Sequence, residues 1–299
     1  MRVLLTGASG FLGGAVTREL LGRGHDVAAL VRRPGSQPPG TTAIAGDLTD
    51  AAALRAAVAT MAPDCVVHLA AEIATQKDAA RLREVNVEGT RRLVDACRES
   101  TRPRVVFAST VVTGDARGRL LEEDTPLPVE TEYGRTKQEG ERLVRESGLD
   151  AIVIRPGHVY GPGGWFANEI VRRLRAPGRL VVVGRGDNLW DVVHVDDVAT
   201  AIVTAAEGAP AGGLYHVADD EPLTLFDFVA TAARALGVGP PRRVPVRLAR
   251  LLNGRDPTAA TVRSARTSNR RIKAELGWTP RYPSASVGVP AAIAALGGR

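Results

Sequence analysis

The chain has 299 residues, 44% of them hydrophobic and 24% charged, which is typical of a globular protein with a large core and excludes a disordered one. The formal net charge is +6, but only three of the 39 basic residues are lysines (Lys77, Lys137 and Lys273) and the arginines are scattered, so we expect no nucleic-acid partner. Two isolated cysteines (Cys65 and Cys97), no signal-peptide pattern and no bilayer-spanning apolar run predict a cytoplasmic chain with no metal site and no membrane partner.

The first predicted elements are a strand over residues 2–6, a glycine turn and a helix over residues 11–21. The glycines of the turn are spaced three apart. This spacing lets the backbone turn tightly and lets a diphosphate approach the amides at the helix N-terminus, where the helix dipole favours negative charge. The order of strand, glycine turn and helix predicts a bound dinucleotide rather than an ordinary loop. We expect the diphosphate to contact Gly7, Ser9, Gly10, Phe11, Leu12 and Gly13.

A second buried strand is predicted over residues 26–31, and two arginines follow it. A cofactor without a 2′-phosphate usually has its ribose held by a carboxylate at the end of this strand, where Val31 stands here. Arg32 and Arg33 can instead bind a phosphate through their planar guanidinium groups. The pair favours NADP over NAD. The alternative is a solvated pair that opens the Pro/Gly loop over residues 34–40.

Two aspartates follow the third predicted strand, which covers residues 42–45. Asp47 is placed to accept a hydrogen bond from an adenine amino group, with Leu48 beside it. Asp50 is expected to be the N-cap of a helix over residues 51–60, because an aspartate oxygen accepts from the first free N–H groups of a helix.

The fourth predicted strand, residues 65–69, leads into small residues. The residues expected to pack against the cofactor here are Leu69, Ala70 and Ala71. His68, within the strand, is interpreted as a core histidine rather than a ligand. A long helix is predicted over residues 78–99, and Asn86 is polar where its pattern requires an apolar residue. We interpret Asn86 as either a buried tether between helix and strand or an active-site relay.

A serine, a threonine, a tyrosine and a lysine follow at the expected ligand edge. The predicted elements here are a fifth strand (104–108), a loop (114–130), a helix (133–147) and a sixth strand (151–155). Ser109 and Thr110 come directly after the fifth strand, and ligands of open parallel sheets bind at the carboxyl ends of the strands. Tyr133 and Lys137 are four residues apart, so they lie on the same face of the helix.

Beyond Pro156 the alternation of strand and helix breaks down. The predicted elements are a helix (165–176), strands (180–183, 190–195 and 213–217), a helix to residue 207 capped by Asp196, and helical patterns near 224–236 and 258–276 divided by a Pro/Arg-rich segment (239–247). These patterns predict the α/β class: a doubly wound parallel Rossmann sheet with a smaller C-terminal α/β cap over its ligand edge. We assign residues 1–155 to a dinucleotide-binding domain, to which 190–217 returns, and residues 156–189 and 218–299 to a substrate-binding region.

Ser109, Tyr133 and Lys137 together suit hydride transfer to a carbonyl. The carbonyl oxygen needs a proton, and a free tyrosine titrates near pH ~10. A lysine ammonium one helical turn away favours the phenolate, so we expect the pKa of Tyr133 to be lowered. Ser109 would hold the carbonyl oxygen, and Lys137 would also bind the cofactor ribose. Arginine does not suit the role of Lys137 because it does not give up its proton.

A series of motifs spans nearly the whole chain: TGASGFLGG (6–14), GDLTD (46–50), VVHLAA (66–71), NVEGT (86–90), FAST (107–110), YGRTK (133–137), RPGHVYGPG (155–163), HVDDVA (194–199) and LGWTP (276–280). In this order they resemble the extended short-chain dehydrogenases/reductases, the superfamily of NAD(P)-dependent epimerases, dehydratases and ketoreductases. The resemblance implies that the glycine turn binds the diphosphate and that Asp47 contacts the adenine. It also implies that the stretch 155–160, with Pro156 and His158, lies on the nicotinamide side. The residues it makes catalytic are Ser109, Tyr133 and Lys137.

Three departures from the family's pattern bear on the substrate. In sugar-nucleotide members the position of His158 is commonly an asparagine, and the position of Trp190 is commonly an arginine that binds the substrate diphosphate. Thr113 occupies a position where a tyrosine is usual. Without that arginine, the chain lacks a cation that would pair with the charged diphosphate of a sugar nucleotide. The indole of Trp190 suits a flat or apolar substrate instead. The alternative for Trp190 is a core tryptophan. We expect Thr110, His158 and Trp190 to contact the substrate.

These observations predict an NADPH-dependent ketoreductase that acts on a non-nucleotide, aromatic or polyketide-like carbonyl compound, as a monomer or a homodimer. One alternative is a nucleotide-sugar epimerase or dehydratase with tightly bound NAD. Another is a catalytically silent dinucleotide-binding regulator. The intact set of Ser109, Tyr133 and Lys137 argues against the silent regulator.

Overall fold

A seven-stranded parallel sheet forms the centre of the computed structural model, which describes residues 1–176, 181–253 and 262–297. In chain order the strands are β1 (Arg2–Thr6), β2 (Asp26–Val31), β3 (Thr42–Ala45), β4 (Cys65–His68), β5 (Arg104–Ala108), β6 (Leu120–Leu121), β7 (Ala151–Pro156), β8 (His158–Tyr160), β9 (Val181–Val183), β10 (Leu189–Trp190), β11 (Val192–His194), β12 (Leu214–Val217), β13 (Leu223–Thr224), β14 (Arg242–Val244) and β15 (Arg266–Thr267). The order across the sheet is β3-β2-β1-β4-β5-β7-β12, so the winding reverses between β1 and β4. Ligands of open α/β sheets bind outside the carboxyl ends of the strands at such a point.

Helices cover both faces of this sheet. In chain order they are α1 (Phe11–Gly22), α2 (Ala51–Met61), α3 (Ala79–Arg83), α4 (Gly89–Arg98), α5 (Glu132–Arg145), α6 (Arg172–Arg175), α7 (Val195–Gly208), α8 (Leu225–Ala235), α9 (Val246–Asn253), α10 (Arg270–Leu276) and α11 (Ala285–Gly297). Two π-helical segments, Glu84–Glu88 and Phe166–Val171, precede α4 and α6. Helices α1 and α7 pack on one face, and α2, α4 and α5 pack on the other. The predicted doubly wound sheet is confirmed.

The side chains of β1 alternate between the two layers of the core. Val3 and Leu5 belong to the apolar cluster under α1 and α7, whereas Leu4 belongs to the cluster under α2 and α4. A strand that is buried on both faces reads as a continuous apolar run. This is why the sequence predicted the bounds of the buried strands β1, β2 and β5 as the structure has them. The edge strand β3, which is exposed at both ends, also has its predicted bounds.

A smaller α/β region follows the carboxyl end of β7. It contains the strand pairs β8–β11, β9–β14 and β10–β13, and α8 packs against α11. Aromatic side chains dominate its core, among them Tyr160, Phe166, Trp190 and Phe228. The predicted smaller C-terminal α/β region is therefore present. No helix within the described ranges is long and apolar enough to cross a membrane.

Several predicted elements have different bounds. The helix predicted over 78–99 and the one predicted over 165–176 both contain a π-helical turn. The strand predicted over 190–195 is divided at Asp191, because β10 pairs with β13 whereas β11 pairs with β8. The loop predicted over 114–130 contains β6, which pairs with β15 from the distant tail.

The helix caps agree with the prediction at one aspartate and not at another. Asp50 caps α2 through the N–H groups of the next residues, as predicted. The N-cap of α7 is His194 and not Asp196, because His194 Nδ1 accepts a hydrogen bond from the N–H of Asp196 at 3.2 Å. The helix predicted over 258–276 is not continuous in the described part, because β15 lies within it and α10 begins only at Arg270. Residues 254–261, and residue 180 of the predicted strand 180–183, lie outside the described residues.

The glycine turn between β1 and α1 leaves no room for side chains. Gly7 has a φ of +75°, in the left-handed region that favours glycine. A Cβ atom on Gly13 would collide with the carbonyl oxygen of Gly7 and would lie 2.7 Å from that of Ala8. The first turn of α1 therefore packs directly on the backbone of the loop before it.

We predict that Gly13→Ala lowers the free energy of unfolding by about 1–3 kcal/mol, because the helix must move away from the loop. Gly22→Ala is the matched control in the same helix, since a Cβ atom there would meet nothing within 4 Å. The control is expected to be neutral or to stabilise the protein by up to ~1 kcal/mol. Urea unfolding measures both, and equal stability of the two variants would contradict the packing argument.

Candidate active site

The N-terminus of α1 presents free backbone donors at the carboxyl edge of β1. Its N-cap is Gly10, which has no side chain to accept a hydrogen bond, and the first turn contains no acidic residue. The first N–H groups of a helix lack intrahelical partners, and the helix dipole makes this end positive. Ser9 and Gly10 are exposed here, and Phe11 and Leu12 are half-buried. The turn fits the diphosphate of a dinucleotide.

Phe11, the first residue of α1, packs against a second glycine-containing loop. A Cβ atom on Gly163 would lie 3.1 Å from the Phe11 ring, and one on Gly164 would lie 2.9 Å from it. Gly164 also has a φ of +57°. Glycines at these positions therefore let the loop over residues 161–164 close onto the ring of Phe11.

The residues after β4 pack against the glycine turn. A Cβ atom on Gly7 would lie 2.7 Å from the backbone nitrogen of Ala70, and the N–H of Ala70 donates to Thr6 Oγ1 at 3.2 Å. Leu69 continues the ladder through its N–H to the Thr6 carbonyl at 3.2 Å. The segment 69–71 thus lies beside the turn, and its contact with a cofactor stays a prediction.

Two arginines and an aspartate lie at the end of the sheet beyond β2. Arg32 and Arg33 are exposed, and neither guanidinium has a hydrogen-bond or ion-pair partner among the described residues. Burial alone would raise the pKa of Asp47, but hydrogen bonds from Thr49 and the charge of Arg32 hold it below its usual range. Leu48 is buried in the core. The binding of adenine by Asp47 and of a 2′-phosphate by the arginines stays a prediction.

Ser109 lies at the carboxyl end of β5 with a buried hydroxyl group. The residue is 5% exposed, and its Oγ has no hydrogen-bond partner among the described residues. Burial removes a hydroxyl group from water, and without a hydrogen-bond partner this loss is not compensated. The Oγ of Ser109 therefore indicates a place where a polar atom of a ligand can bind. The neighbouring Thr110 is already satisfied: its hydroxyl donates to the Pro156 carbonyl at 3.3 Å and accepts from the N–H of Val112 at 2.9 Å.

The ammonium group of Lys137 lies against the strand that ends at Ser109. Its Nζ is 4.3 Å from the ring centroid of Phe107. Phe107 and Ser109 are two residues apart in an extended segment, so their side chains point to the same side of the sheet. Burial lowers the pKa of Lys137 from 10.5 to about 8, partly opposed by the charge of Glu141. Strand β5 and helix α5 therefore bring Lys137 to the Ser109 side of the sheet.

Tyr133 lies in the first turn of α5. The N-cap of this helix is Thr131, whose hydroxyl accepts from the N–H of Gly134 at 3.0 Å. The phenol is half-buried, and burial raises the pKa of Tyr133 to about 12. This direction is opposite to the lowering predicted from the sequence, because the desolvated phenolate is disfavoured while the ammonium of Lys137 stands over the Phe107 ring.

Asn86 fixes α5 beside the site. Its Nδ2 donates to the Glu72 carbonyl at 3.0 Å and to Thr136 Oγ1 at 3.1 Å, and its Oδ1 accepts from the N–H of Glu72 at 2.8 Å. Thr136 directly precedes Lys137. These contacts favour the interpretation of Asn86 as a tether, and the residue lies in a π-helical turn of the kind often found at functional sites.

His68 is a core residue, as interpreted. It is 1% exposed, and its two ring nitrogens pair with the hydroxyl groups of Thr6 at 2.7 Å and Thr90 at 3.0 Å. Burial, together with the charge of Lys137, lowers the pKa of His68 to about 3. The imidazole is therefore neutral and structural.

A buried charged cluster that was not predicted from the sequence lies beside the predicted substrate residues. Asp191, between β10 and β11, accepts hydrogen bonds from Arg263 at 2.7 and 3.1 Å and from the hydroxyl of Thr267 at 2.7 Å. His158 Nδ1 is 3.3 Å from the same carboxylate. One signal was available, since Asp191 is a charged residue inside an apolar run. Arg263 is 72 positions away, and no local pattern connects the two.

Trp190 lies behind His158 in the core of the smaller region. It is 8% exposed, and its indole stacks on the imidazole with centroids 4.6 Å apart and planes at 2°. Trp165 and Phe228 contact its other sides. A molecule that enters the site would therefore meet the imidazole before the indole. The direct contact of Trp190 with a substrate stays a prediction.

The described residues offer neither a metal site nor a reactive thiol. They contain no group of three or more His, Cys, Asp or Glu side chains that could hold a metal ion. Cys65 and Cys97 are buried free thiols, and burial raises the pKa of each to about 12. The thiolate is the nucleophilic form, so neither cysteine is a candidate nucleophile.

The chain is similar to known proteins in sequence and in structure. Residues 3–218 match the model of the NAD dependent epimerase/dehydratase family. The chain is 35% identical over 297 residues to a 3-diazoavenalumate denitrifying reductase from Streptomyces sp, covering 95% of this chain and 97% of that protein. It is 34% identical over 256 residues to a 2-alkyl-3-oxoalkanoate reductase from Stenotrophomonas maltophilia, covering 79% and 76% of the two chains. The structure of Thermus thermophilus UDP-glucose 4-epimerase with NAD matches with a TM-score of 0.85 at 27% identity, covering 100% of this chain and 99% of that one.

We predict that Lys137→Met stabilises the ligand-free protein at neutral pH. The pKa of this lysine falls from 10.5 to about 8 on folding, so the folded state disfavours the charged form. Removing the charge should raise the free energy of unfolding by on the order of 2 kcal/mol at pH ~7.

The pH dependence of the free energy of unfolding tests this explanation. Between pH ~8 and pH ~10.5 the unfolded wild type binds the extra proton, so its stability rises towards that of Lys137→Met. Urea unfolding of both proteins at several pH values checks this, with exposed Lys77→Met as the control. A stability difference that did not shrink with rising pH would refute the explanation by buried charge.

Proposed function

Because the chain belongs to the NAD-dependent epimerase/dehydratase family of extended short-chain dehydrogenases/reductases and is an NAD(P)-dependent oxidoreductase, we propose that it is an NADPH-dependent ketoreductase. Its substrate is a non-nucleotide small molecule with an aromatic or polyketide-like carbonyl. Two reductases more than 30% identical to the chain support net reduction, and one of them is named for a 3-oxoalkanoate. We assign residues 1–155 and 190–217 mainly to cofactor binding and the remainder mainly to substrate binding, although Trp190 packs in the core of the smaller region. The protein is a monomer or a homodimer.

The observation that carries the proposal is the buried hydroxyl group of Ser109, which has no hydrogen-bond partner among the described residues and lies on the Lys137 side of the sheet. A carbonyl oxygen is the acceptor that this hydroxyl lacks, and the hydrogen bond polarises the carbonyl. When bound, the nicotinamide supplies the hydride to the carbonyl carbon. The charge that develops on the carbonyl oxygen is then stabilised by a donor that is already in place.

Tyr133 donates the proton to that oxygen. A phenol with a pKa of about 12 keeps its proton at neutral pH, which is the form that a reduction requires. Lys137, with a pKa of about 8, is mostly an ammonium at the same pH. Its charge stabilises the phenolate that remains after proton transfer. High pKa and nearby cation are therefore compatible with Tyr133 as the acid.

The proposed cofactor contacts involve the start of α1, the segments after β2 and β3, helix α5 and the end of β7. The free N–H groups after Gly10 hold the diphosphate, and Asp47 contacts the adenine. Arg32 and Arg33, exposed and unpaired among the described residues, bind the 2′-phosphate, which favours NADPH over NADH. Lys137 binds the ribose, and the segment 156–158 lies on the nicotinamide side.

The nucleotide-sugar alternative has weaker support. A substrate diphosphate needs cations, and Trp190 stands where sugar-nucleotide members commonly carry an arginine. The buried Arg263 beside it is already paired with Asp191 at 2.7 Å. An epimerase would also keep NAD bound, and purification of the protein with tightly held NAD would favour that alternative over ours.

A second candidate is the reduction of a diazo compound, as in the name of the relative that covers 95% of this chain. Transfer of a hydride to the terminal nitrogen of an aryl diazonium ion, followed by loss of N₂, leaves a C–H bond in place of the C–N bond. This sequence consumes one hydride and needs no proton donor. It therefore predicts N₂ release that does not depend on the hydroxyl group of Tyr133.

We predict that Tyr133→Phe lowers kcat for NADPH-dependent reduction of aryl ketones by about 10²–10⁴-fold, because the proton donor is lost. Cofactor affinity should be unchanged, and NADPH fluorescence titration provides that control. Activity is followed by NADPH absorbance. Full activity of Tyr133→Phe on ketones would exclude Tyr133 as the acid, and N₂ release from an aryl diazonium salt by the same variant would support the second candidate.

We predict that Arg32→Ala combined with Arg33→Ala weakens NADPH binding by about 10–100-fold and leaves NADH binding unchanged, since only NADPH has the 2′-phosphate. Arg98→Ala is the control, because this exposed arginine pairs with Asp95 at 3.7 Å on α4, away from β2. Titration with both cofactors measures the ratio. An unchanged ratio in the double variant would mean that the arginines are solvated and do not read the phosphate.

A further inference from the structure

We propose that His158 selects the substrate as a fixed hydrogen-bond acceptor, and that the preferred substrate is an aromatic carbonyl compound carrying a hydroxyl group. Asp191 is the residue that positions His158. The inference rests on the proposed function in one respect, namely that the site binds a small carbonyl compound. In this proposal the polar group of that compound is recognised by His158 and not by Trp190.

His158 is held by three contacts. Its backbone N–H donates to the Asp191 carbonyl at 2.7 Å, its ring Nδ1 is 3.3 Å from Asp191 Oδ1, and its ring lies flat on Trp190. The preceding Gly157 has no Cβ atom, and one there would collide with the Asp191 carbonyl. Trp165 and Phe228 support the indole from behind. The ring therefore has little freedom to turn.

The carboxylate that orients this ring is itself immobile. Asp191 is 2% exposed, and four hydrogen-bond contacts reach its two oxygens: two from Arg263, one from Thr267 and one from His158. Burial opposes the charge, but the guanidinium of Arg263 keeps the pKa of Asp191 far below its usual range. Arg263 is fixed in turn, since it donates to the carbonyls of Gly114 and Val111 at 2.7 and 3.2 Å.

This environment determines which atoms of the imidazole are donors. A carboxylate accepts only, so His158 Nδ1 carries the hydrogen that points to Asp191, and Nε2 is left with a lone pair. Nε2 is therefore an acceptor, and its complement is an O–H or N–H group of the ligand rather than a carboxylate.

The free nitrogen is accessible to solvent, and His158 follows β7, the strand that pairs with the strand before Ser109. The His158 side chain is 18% exposed while that of Asp191 is fully buried, and Nε2 is neither bonded within the described residues nor enclosed. Thr110 Oγ1 and the N–H of Val111 both contact the Pro156 carbonyl, at 3.3 and 3.1 Å. His158 is two residues beyond Pro156, so it borders the same site as Ser109. The flat ring of a substrate suits the exposed face of the imidazole.

The test is the binding of acetophenone and its meta- and para-hydroxy and methoxy derivatives to the protein saturated with NADP⁺, measured by calorimetry. Wild type should bind the better hydroxy derivative at least about tenfold more tightly than acetophenone, and the methoxy derivatives should show no such gain. His158→Phe keeps a flat ring and should retain acetophenone but lose the hydroxy preference. His158→Gln, whose amide oxygen can replace Nε2 as acceptor, should retain part of it. His25→Gln, on the far side of the sheet domain, is the control.

Asp191→Asn tests the positioning role through the same ratio of affinities. A purely structural effect would weaken all probes equally, whereas loss of orientation reduces only the hydroxy preference. If this variant does not fold, the His158 variants still decide the inference. A hydroxy preference that survives in His158→Phe, or its absence in wild type, overturns it. A preference that depends on His158 without ketone turnover would support the inference and reject the proposed reaction.

Discussion

The buried ion pair between Asp191 and Arg263 joins the segments that surround the candidate site. Arg263 comes from the tail of the chain, and its guanidinium also bonds the carbonyls of Val111 and Gly114 after β5. Asp191 lies between two short strands of the smaller region and holds His158 after β7. Removing either partner of such a pair leaves an uncompensated buried charge, which is strongly destabilising. The pair therefore helps to hold the smaller region and the chain after β5 together.

The electrostatics of the reaction site follow from burial more than from spacing. The helical spacing of Tyr133 and Lys137 favours a lowered pKa for the phenol, yet burial raises the pKa of Tyr133 to about 12 and lowers that of Lys137 to about 8. Both shifts express the same cause, the desolvation of the charged form. A half-buried neutral phenol and a lysine with a lowered pKa differ from the phenolate and ammonium that the spacing suggests.

Local patterns in the sequence were enough for the sheet and for much of the site. Continuous apolar runs gave the bounds of β1, β2 and β5, and the glycine spacing located the start of α1. Contacts between distant segments were not accessible in this way. The pairing of Asp191 with Arg263, the cap of α7 by His194 and the burial of Trp190 behind His158 all depend on tertiary packing, for which a single sequence has no local signal.

The contact of Phe11 with the glycines at 163 and 164 has a consequence for how the molecule works. The ring stands on the first turn of α1, where the dinucleotide is expected, and it touches the loop that leads into the substrate side. Settling of the cofactor on that turn would be transmitted through one aromatic side chain to the second half of the cleft. If the proposed function holds, such a linkage would favour binding of the dinucleotide before the substrate.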